Sequence, residues 1–164
     1  MANPLKMLKL KPAHFQLIQE VKIDAPPRRA WAALLDMGGW FRFDPTDTKR
    51  HCKCEPWVGG RFYAEYADGS SALHAIITYI EPEKLLRLSG AMGLTHLPVS
   101  NAFIFELQPK GQGTLLRMCH RAFGYMDSEV GKRYGQGWKQ LLPQIKALAE
   151  EKPKATSRKS ARKR

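Results

Sequence analysis

The C-terminal part of the chain holds the feature that most restricts its fold: a long helix-like pattern that follows an unbroken series of strand-like segments. Between Asp127 and Glu150, apolar residues recur at steps of three and four, and this spacing predicts a helix with one apolar stripe. Asp127 or Ser128 is expected to accept hydrogen bonds from amides of its first turn. The stripe consists of Val130, Tyr134, Trp138, Leu141, Leu142, Ile145 and Leu148.

Three glycines and one proline weaken this predicted helix. Gly131, Gly135 and Gly137 each cost roughly 1 kcal/mol relative to alanine. Pro143 lacks the amide that would bond to Lys139, so a bend is expected there. Because an isolated helix with these penalties would be marginal, it needs a surface to pack against. The strands that precede it are the candidate.

The segments upstream predict an antiparallel sheet with a helix inserted after its first strand. Pro26 and Pro27 open that helix, Arg28 to Asp36, and an aromatic turn with Trp40, Phe41 and Phe43 follows it. Strands before helices in this arrangement indicate an α+β domain. The predicted strands are His14–Ile23, His51–Glu55, Arg61–Tyr66, Ser71–Ile80, Leu85–Ser89, Val99–Leu107 and Thr114–Phe123.

Alternation along these strands predicts which side chains face the interior. Ile80 precedes a turn and should be buried, which places the residues two, four and six positions earlier on the same face. The predicted inner set is His74, Ile76, Thr78, Ile80, Leu86, Leu88, Phe103, Phe105, Leu107, Leu116, Met118 and His120.

Composition and charge indicate one domain with a basic tail. Residues 1–14 are interpreted as an N-terminal extension, 15–150 as the domain and 151–164 as a disordered tail. The tail holds seven of the Lys and Arg residues behind the net charge of +12. It either serves as a solvated tail or contacts polyanions weakly and without sequence specificity. No specific nucleic-acid partner is expected, and the oligomeric state is left open.

The sequence favours a cytoplasmic protein without a metal or cofactor. No apolar run approaches the ~20 residues of a membrane span, so no membrane insertion is expected. The N-terminus lacks a signal-peptide pattern, and three cysteines do not make a disulfide framework. Cys52 and Cys54 share a strand face beside His51 but lack the further ligands of a zinc site. Nucleotide-binding and nucleophile-turn motifs are absent too.

Five segments occur in a recognisable order: IDAPPRRAWAALLDMGGWFRFDP, WVGGRFYAEYADG, YIEPEKLLRL, FELQPKGQGTLLRMCHRAFG and YGQGW. In that order they resemble the SRPBCC superfamily, also called START-like or helix-grip. The branch that they resemble most is named after the activator of the 90-kDa heat-shock chaperone ATPase and is related to polyketide cyclase-like proteins. The resemblance implies a curved antiparallel sheet of about six to seven strands wrapped around a long C-terminal helix. It also implies two short helices after the first strand and a cavity between sheet and helix. Proteins of this superfamily share no catalytic motif, so the resemblance assigns no catalytic residue.

We therefore expect a soluble protein that binds a hydrophobic or aromatic small molecule in that cavity. His74 and His120 are either satisfied core histidines or neutral groups that orient a ligand. Tyr134 and Trp138 either pack in the core or form a cavity wall, and the loop 90–98 would act as a lid with Met92 and Leu94 facing inward. Two other functions stay open: a cyclase- or hydrolase-type enzyme, less favoured, and a co-chaperone-like interaction protein. The predicted ligand-binding residues are Trp40, Phe43, Phe62, Tyr66, His74, Ile76, Leu88, Phe105, Met118, His120, Tyr134 and Trp138.

Overall fold

The fold is an antiparallel sheet that carries all three helices of the described chain on one side. A computed structural model describes residues 10–44 and 46–151, so the predictions for the N-terminal nine residues and for the tail from 152 onward lie outside the described residues. The elements are β1 (Lys11–Ile23), α1 (Pro27–Leu35), α2 (Met37–Trp40), β2 (Arg50–Cys54), β3 (Arg61–Tyr66), β4 (Ser71–Glu81), β5 (Leu85–Gly90), β6 (Val99–Lys110), β7 (Gly113–Met126) and α3 (Val130–Glu150).

The sheet has seven strands in the order β1-β7-β6-β5-β4-β3-β2, and every neighbouring pair is antiparallel. Strands β2 to β7 lie side by side in chain order. The last strand, β7, also pairs with β1, so β1 forms one edge of the sheet and β2 forms the other. Helix α3 packs against β1, α1 and α2. The predicted α+β class, with a sheet wrapped around a C-terminal helix, is confirmed.

Local sequence explains the two short helices after β1. Proline stands at the first position of α1, where its fixed φ suits a helix and its missing amide costs nothing. Helix α2 occupies the start of the predicted aromatic turn, and the Asp36 carboxylate accepts a hydrogen bond from the Gly39 amide. Trp40 therefore ends a helical turn and points into the core, where it is 1% exposed.

The beginning of α3 differs from the prediction. The helix starts at Val130, and the residue before it, Glu129, makes no side-chain cap. Asp127 accepts a hydrogen bond from the Glu129 amide at 2.9 Å and pairs with Arg133. Asp127 thus orders the approach to the helix and does not cap its first turn. The helix continues through Pro143 to Glu150.

Strand β4 carries the main correction to the predicted faces. The pairing register shifts once opposite Phe62 and Tyr63 and again between Ile77 and Tyr79. Each shift is a bulge, which inserts one residue and inverts the alternation. His74 and Ile80 therefore face inward as predicted, whereas Ile76, which lies between the bulges, and Thr78, the extra residue of the second bulge, face outward. Ile76 is 39% exposed.

The other predicted inner sets are confirmed by burial. The strands β5, β6 and β7 bury Leu86, Leu88, Phe103, Phe105, Leu107, Leu116, Met118 and His120. Strand β1 turns its odd-numbered residues toward α3. No helix in residues 10–44 and 46–151 is both long and apolar enough to cross a membrane.

Candidate functional site

A cavity of about 340 Å³ opens between the first half of α3, strand β4 and the segment that joins α2 to β2. Its volume lies at the lower end of the roughly 300–1,000 Å³ that small-molecule sites occupy. Most of its wall is apolar. The lining residues are Phe41, Phe43, Arg50, Tyr66, His74, Met92, Gly93, Arg133, Tyr134, Gly137, Trp138 and Leu141.

The structure brings five of the twelve predicted site residues together around this cavity: Phe43, Tyr66, His74, Tyr134 and Trp138. Ile76 is on the outer face of the sheet for the reason given above. The remaining six are buried and lie outside the cavity lining: Trp40, Phe62, Leu88, Phe105, Met118 and His120.

Those buried residues form a packed floor and leave the cavity at one end of the sheet–helix gap. Trp40 lies 6.3 Å from Trp138 and 6.4 Å from Phe105, measured between ring centroids. The indole nitrogen of Trp40 donates to the Leu34 carbonyl at 2.9 Å. Aromatic pairs at these distances stabilise a fold beyond the area that they bury. Next to Trp138, part of the space that sequence reasoning assigned to ligand is therefore filled by side chains.

His120 is a satisfied core histidine. It is 0% exposed, and its Nδ1 accepts a hydrogen bond from the Trp138 indole at 3.1 Å. The donor position is therefore Nε2, which lies 2.9 Å from Asn101 Oδ1. Burial lowers the pKa of His120 to about 3, so the ring is neutral at pH 7. Both ring nitrogens are used within the core.

His74 has the opposite environment. It is 5% exposed, and neither ring nitrogen has a hydrogen-bond partner among the described residues. Its ring packs between Phe41 and Phe62, with centroids 5.3 and 5.1 Å away. Burial lowers the pKa of His74 to about 4, and the nearby charge of Arg50 adds to the shift. The cavity wall thus contains one neutral imidazole whose two nitrogens are buried and have no partner among the described residues.

Backbone contacts at the first bulge of β4 explain how the loop after β5 reaches the cavity. The His74 carbonyl accepts a hydrogen bond from the Met92 amide at 2.8 Å. Gly90 passes so close that an added Cβ would lie 2.4 Å from the His74 carbonyl oxygen. Only glycine fits at that distance. Met92, at 7% exposure, is thereby placed against the cavity, as the lid prediction required of it.

Tyr134 holds the same loop from the helix side. Its hydroxyl donates to the Met92 carbonyl at 2.5 Å, and burial raises its pKa to about 12. Leu94, the second predicted lid residue, is half-buried against Ala122, Met126 and Val130 and does not line the cavity. The loop after β5 is therefore held at the cavity by two hydrogen bonds to one residue, Met92.

Sequence reasoning missed the two arginines of the lining. Arg50 is the first residue of β2 and shares a strand face with Cys52 and Cys54, both half-buried. The predicted strand begins at His51, so Arg50 lies outside it and its alternation with the two cysteines was not used. Arg133 lies one helical turn before Gly137, so both are on the face of α3 that lines the cavity. The prediction used only the apolar residues of this helix.

The half-buried thiols of β2 carry no recognisable site. Burial raises the pKa of Cys54 to about 11 and also raises that of Cys52, so both stay protonated at neutral pH. Within residues 10–44 and 46–151, no group of three or more His, Cys, Asp or Glu side chains is placed to hold a metal ion. The chemistry that the described cavity offers is therefore apolar contact, two guanidinium groups, an imidazole and hydroxyls.

Comparison with known proteins places this arrangement in a family. The model of the family described as "Activator of Hsp90 ATPase homolog 1-like protein" matches residues 24–150. The chain belongs to this family. Its match runs from the end of β1 through the whole of α3, so it includes every residue that lines the cavity. No curated protein sequence matches the chain.

Solved structures share the fold of this family member. A putative uncharacterised protein from Rhizobium leguminosarum has 18% identity and a TM-score of 0.68, covering 87% of this chain and 99% of its own. A protein from Chromobacterium violaceum has 22% identity and a TM-score of 0.65, covering 84% and 98%. The AHSA1-like protein from Aeromonas hydrophila has 18% identity and a TM-score of 0.58, covering 83% and 92%. At these identities, the likeness shows the fold alone.

Proposed function

We propose that this protein is a soluble, cytoplasmic binding module that encloses a hydrophobic or aromatic small molecule between its sheet and α3. The observation that carries the proposal is the cavity of about 340 Å³, which has a mainly apolar wall. Apolar pockets with a few convergent polar groups are the usual design of small-molecule sites. The family membership is compatible with such a role.

Apolar burial supplies most of the expected affinity. The inner wall is formed by Trp138, Leu141 and Phe41, and an aromatic ligand against it removes apolar surface from water at about 25 cal/mol per Å². The guanidinium of Arg50 and the hydroxyl of Tyr66, two lining residues, then orient the ligand by hydrogen bonds, which a mismatched ligand would leave unmade. The cavity thus combines affinity from area with selectivity from a few polar atoms.

Filling the cavity from α3 tests this proposal. A Cβ at Gly137 would point to Phe43 at 3.4 Å, so Gly137→Leu places its side chain in the cavity without touching backbone. We expect the variant to bind the neutral probe N-phenyl-1-naphthylamine at least tenfold more weakly, measured by fluorescence titration. The control is Gln136→Leu, which adds the same side chain at an exposed neighbour. A folded Gly137→Leu variant that binds as the wild type does, or no binding by the wild type, would contradict the proposal.

An enzyme on the same fold is the second candidate, and His74 is the observation that favours it. A neutral imidazole with a pKa of about 4 can accept a proton from a ligand within the cavity or position a water. In that case, His74→Ala abolishes turnover while binding of the neutral probe and the thermal transition persist. Turnover that survives His74→Ala excludes this histidine as the acid or base.

The co-chaperone reading is the third candidate, suggested by the description of the family model. It predicts that the protein binds Hsp90 and stimulates its ATPase through surface residues. Because Gly137→Leu changes only the cavity, such stimulation would be the same in that variant and in the wild type. Stimulation lost together with probe binding would connect the two activities.

A further inference from the structure

The charged residues that line the cavity are all of one sign. Arg50 and Arg133 line it, and its lining contains no Asp or Glu. Cavities bounded by charge of one sign and by low-dielectric walls concentrate ions of the other sign. This wall therefore favours hydrophobic molecules that also carry a negative charge.

The two arginines are not equivalent. Arg133 already forms an ion pair with Asp127 at 2.7 Å. Arg50 has no carboxylate within 4 Å among the described residues. Its Nη2 donates to the Phe41 carbonyl at 3.1 Å, and its Cζ lies 5.5 Å from the centroid of the Phe41 ring. Arg50 is thus held half-buried at the cavity with its charge uncompensated.

His74 adds no charge to the same wall. Its ring is neutral at pH 7, and its two nitrogens are buried without a partner among the described residues. The single guanidinium of Arg50 therefore matches the single charge and two oxygens of a carboxylate, which Arg binds with suitable geometry. A phosphate dianion would leave one charge uncompensated in the cavity.

We propose that the ligand is an amphipathic monocarboxylic acid, aromatic or alkyl, whose carboxylate pairs with Arg50. Its apolar part lies against Trp138 and Leu141 at the other side of the cavity. This inference rests on the proposed function and names the chemical class that the site takes.

Matched acid and amide pairs test the role of charge. Benzoate, 2-naphthoate and decanoate are each compared with the corresponding primary amide by isothermal titration calorimetry at pH 7. The amide keeps the shape and loses the charge. We expect the wild type to prefer at least one acid over its amide by tenfold or more, which corresponds to about 1.4 kcal/mol. Arg50→Met should remove that preference, because it weakens binding of the acid far more than binding of the amide.

The control variant is Arg87→Met. Arg87 is exposed on the outer face of the sheet and, like Arg50, lies over an aromatic ring, with Cζ 4.7 Å from the centroid of Tyr79. It should leave acid and amide affinities unchanged. A thermal melt of each variant establishes that it is folded, and the wild-type preference is informative without any variant.

The outcomes separate the two proposals. If amides bind as tightly as acids to the wild type, or if Arg50→Met and Arg87→Met weaken the acid equally, the carboxylate assignment is overturned and the hydrophobic-binding function stands. If none of the six compounds and no neutral probe binds, the binding function itself fails. A tenfold acid preference that depends on Arg50 supports both.

Discussion

His74 and His120 face the same interior, but the protein uses them differently. His120 joins Asn101 and the indole of Trp138, so its two nitrogens hold the packed floor together. His74 has no hydrogen-bond partner for either nitrogen among the described residues. The residue type and its alternation are the same in both cases, and only the neighbours that tertiary packing brings near differ.

Replacing each histidine by leucine should therefore give opposite results. His120→Leu leaves the Trp138 N–H and the Asn101 Oδ1 without their partner, and each buried unpaired group costs about 1–3 kcal/mol. His74→Leu removes a buried polar group that has no protein partner, so the free energy of unfolding should stay within about 1 kcal/mol of the wild type or rise. Urea denaturation measures both. Equal losses would contradict the different roles.

The same two histidines predict a dependence of stability on pH. In the unfolded chain each binds a proton near the ordinary pKa of 6.5, whereas in the folded protein the pKa is about 4 for His74 and about 3 for His120. The folded state thus binds fewer protons between these values, and stability falls as the pH decreases from 6.5 toward 4. The slope should reach about 1.4 kcal/mol per pH unit for each histidine.

Urea denaturation at pH 7, 6 and 5 measures this slope above the range in which most carboxylates titrate. His74→Leu should reduce the slope by the contribution of one histidine. A variant with both histidines replaced should reduce it by the contribution of both. A wild-type free energy of unfolding that is the same at pH 7 and pH 5 would show that neither ring resists protonation in the folded state.

At the scale of elements, the three glycines of α3 differ in what surrounds them. A Cβ at Gly131 would lie 3.1 Å from two carbon atoms of Phe15 on β1, whereas one at Gly135 would meet only Leu17, at 3.7 Å. Gly137 alone lines the cavity. The three glycines that weaken the helix therefore have different neighbours, and Gly131 serves the contact between the helix and the first strand.

This difference predicts the effect of adding one methyl group. Gly135→Ala should raise the free energy of unfolding by about 1 kcal/mol, because helix propensity improves and the new contact is an ordinary one. Gly131→Ala should gain less or become destabilising, because the Phe15 side chain must move. Thermal or urea denaturation of the two variants checks the order, and a larger gain at Gly131 would refute it.

At the scale of the whole molecule, the sheet–helix gap is divided into a filled part and an open end. The clustered rings of Trp40, Phe105 and Trp138 contribute to stability, and the open end meets solvent beside Arg50 and Arg133. Trp138 belongs to both regions, because it also lines the cavity. A side chain at Gly137 would meet Phe43, so Gly137→Leu tests binding without removing a contact of the floor.

The basic C-terminal segment gives a prediction for the whole chain. Residues 152–164 contain seven Lys and Arg and no acidic residue. A chain that ends at Glu151 should lose most of its retention on heparin and its affinity for DNA of any sequence, while the affinity of the full chain should fall steeply with salt. Acid and amide binding in the cavity should not change. Sequence-selective DNA binding, or polyanion binding that survives the truncation, would contradict this prediction.

Much of the fold was readable from local patterns. The strands, the helix after Pro26 and the long final helix each carry a periodicity that depends only on the residue and its close neighbours along the chain. The inner faces of β5, β6 and β7 followed directly from alternation. Strand β4 did not follow it, because its two bulges depend on pairing with β3 and β5, and Ile76 was therefore assigned to the wrong face.

The sequence by itself thus determined the fold class, the family resemblance and the apolar character of the interior, because periodicity and composition are local properties. Tertiary structure decided where the cavity lies, which histidine is free and which arginine is unpaired. Those outcomes depend on distances between residues far apart in the chain, such as Arg50, His74 and Trp138. For the long helix, the sequence predicted the apolar stripe, and packing decided that one of its glycines faces the cavity.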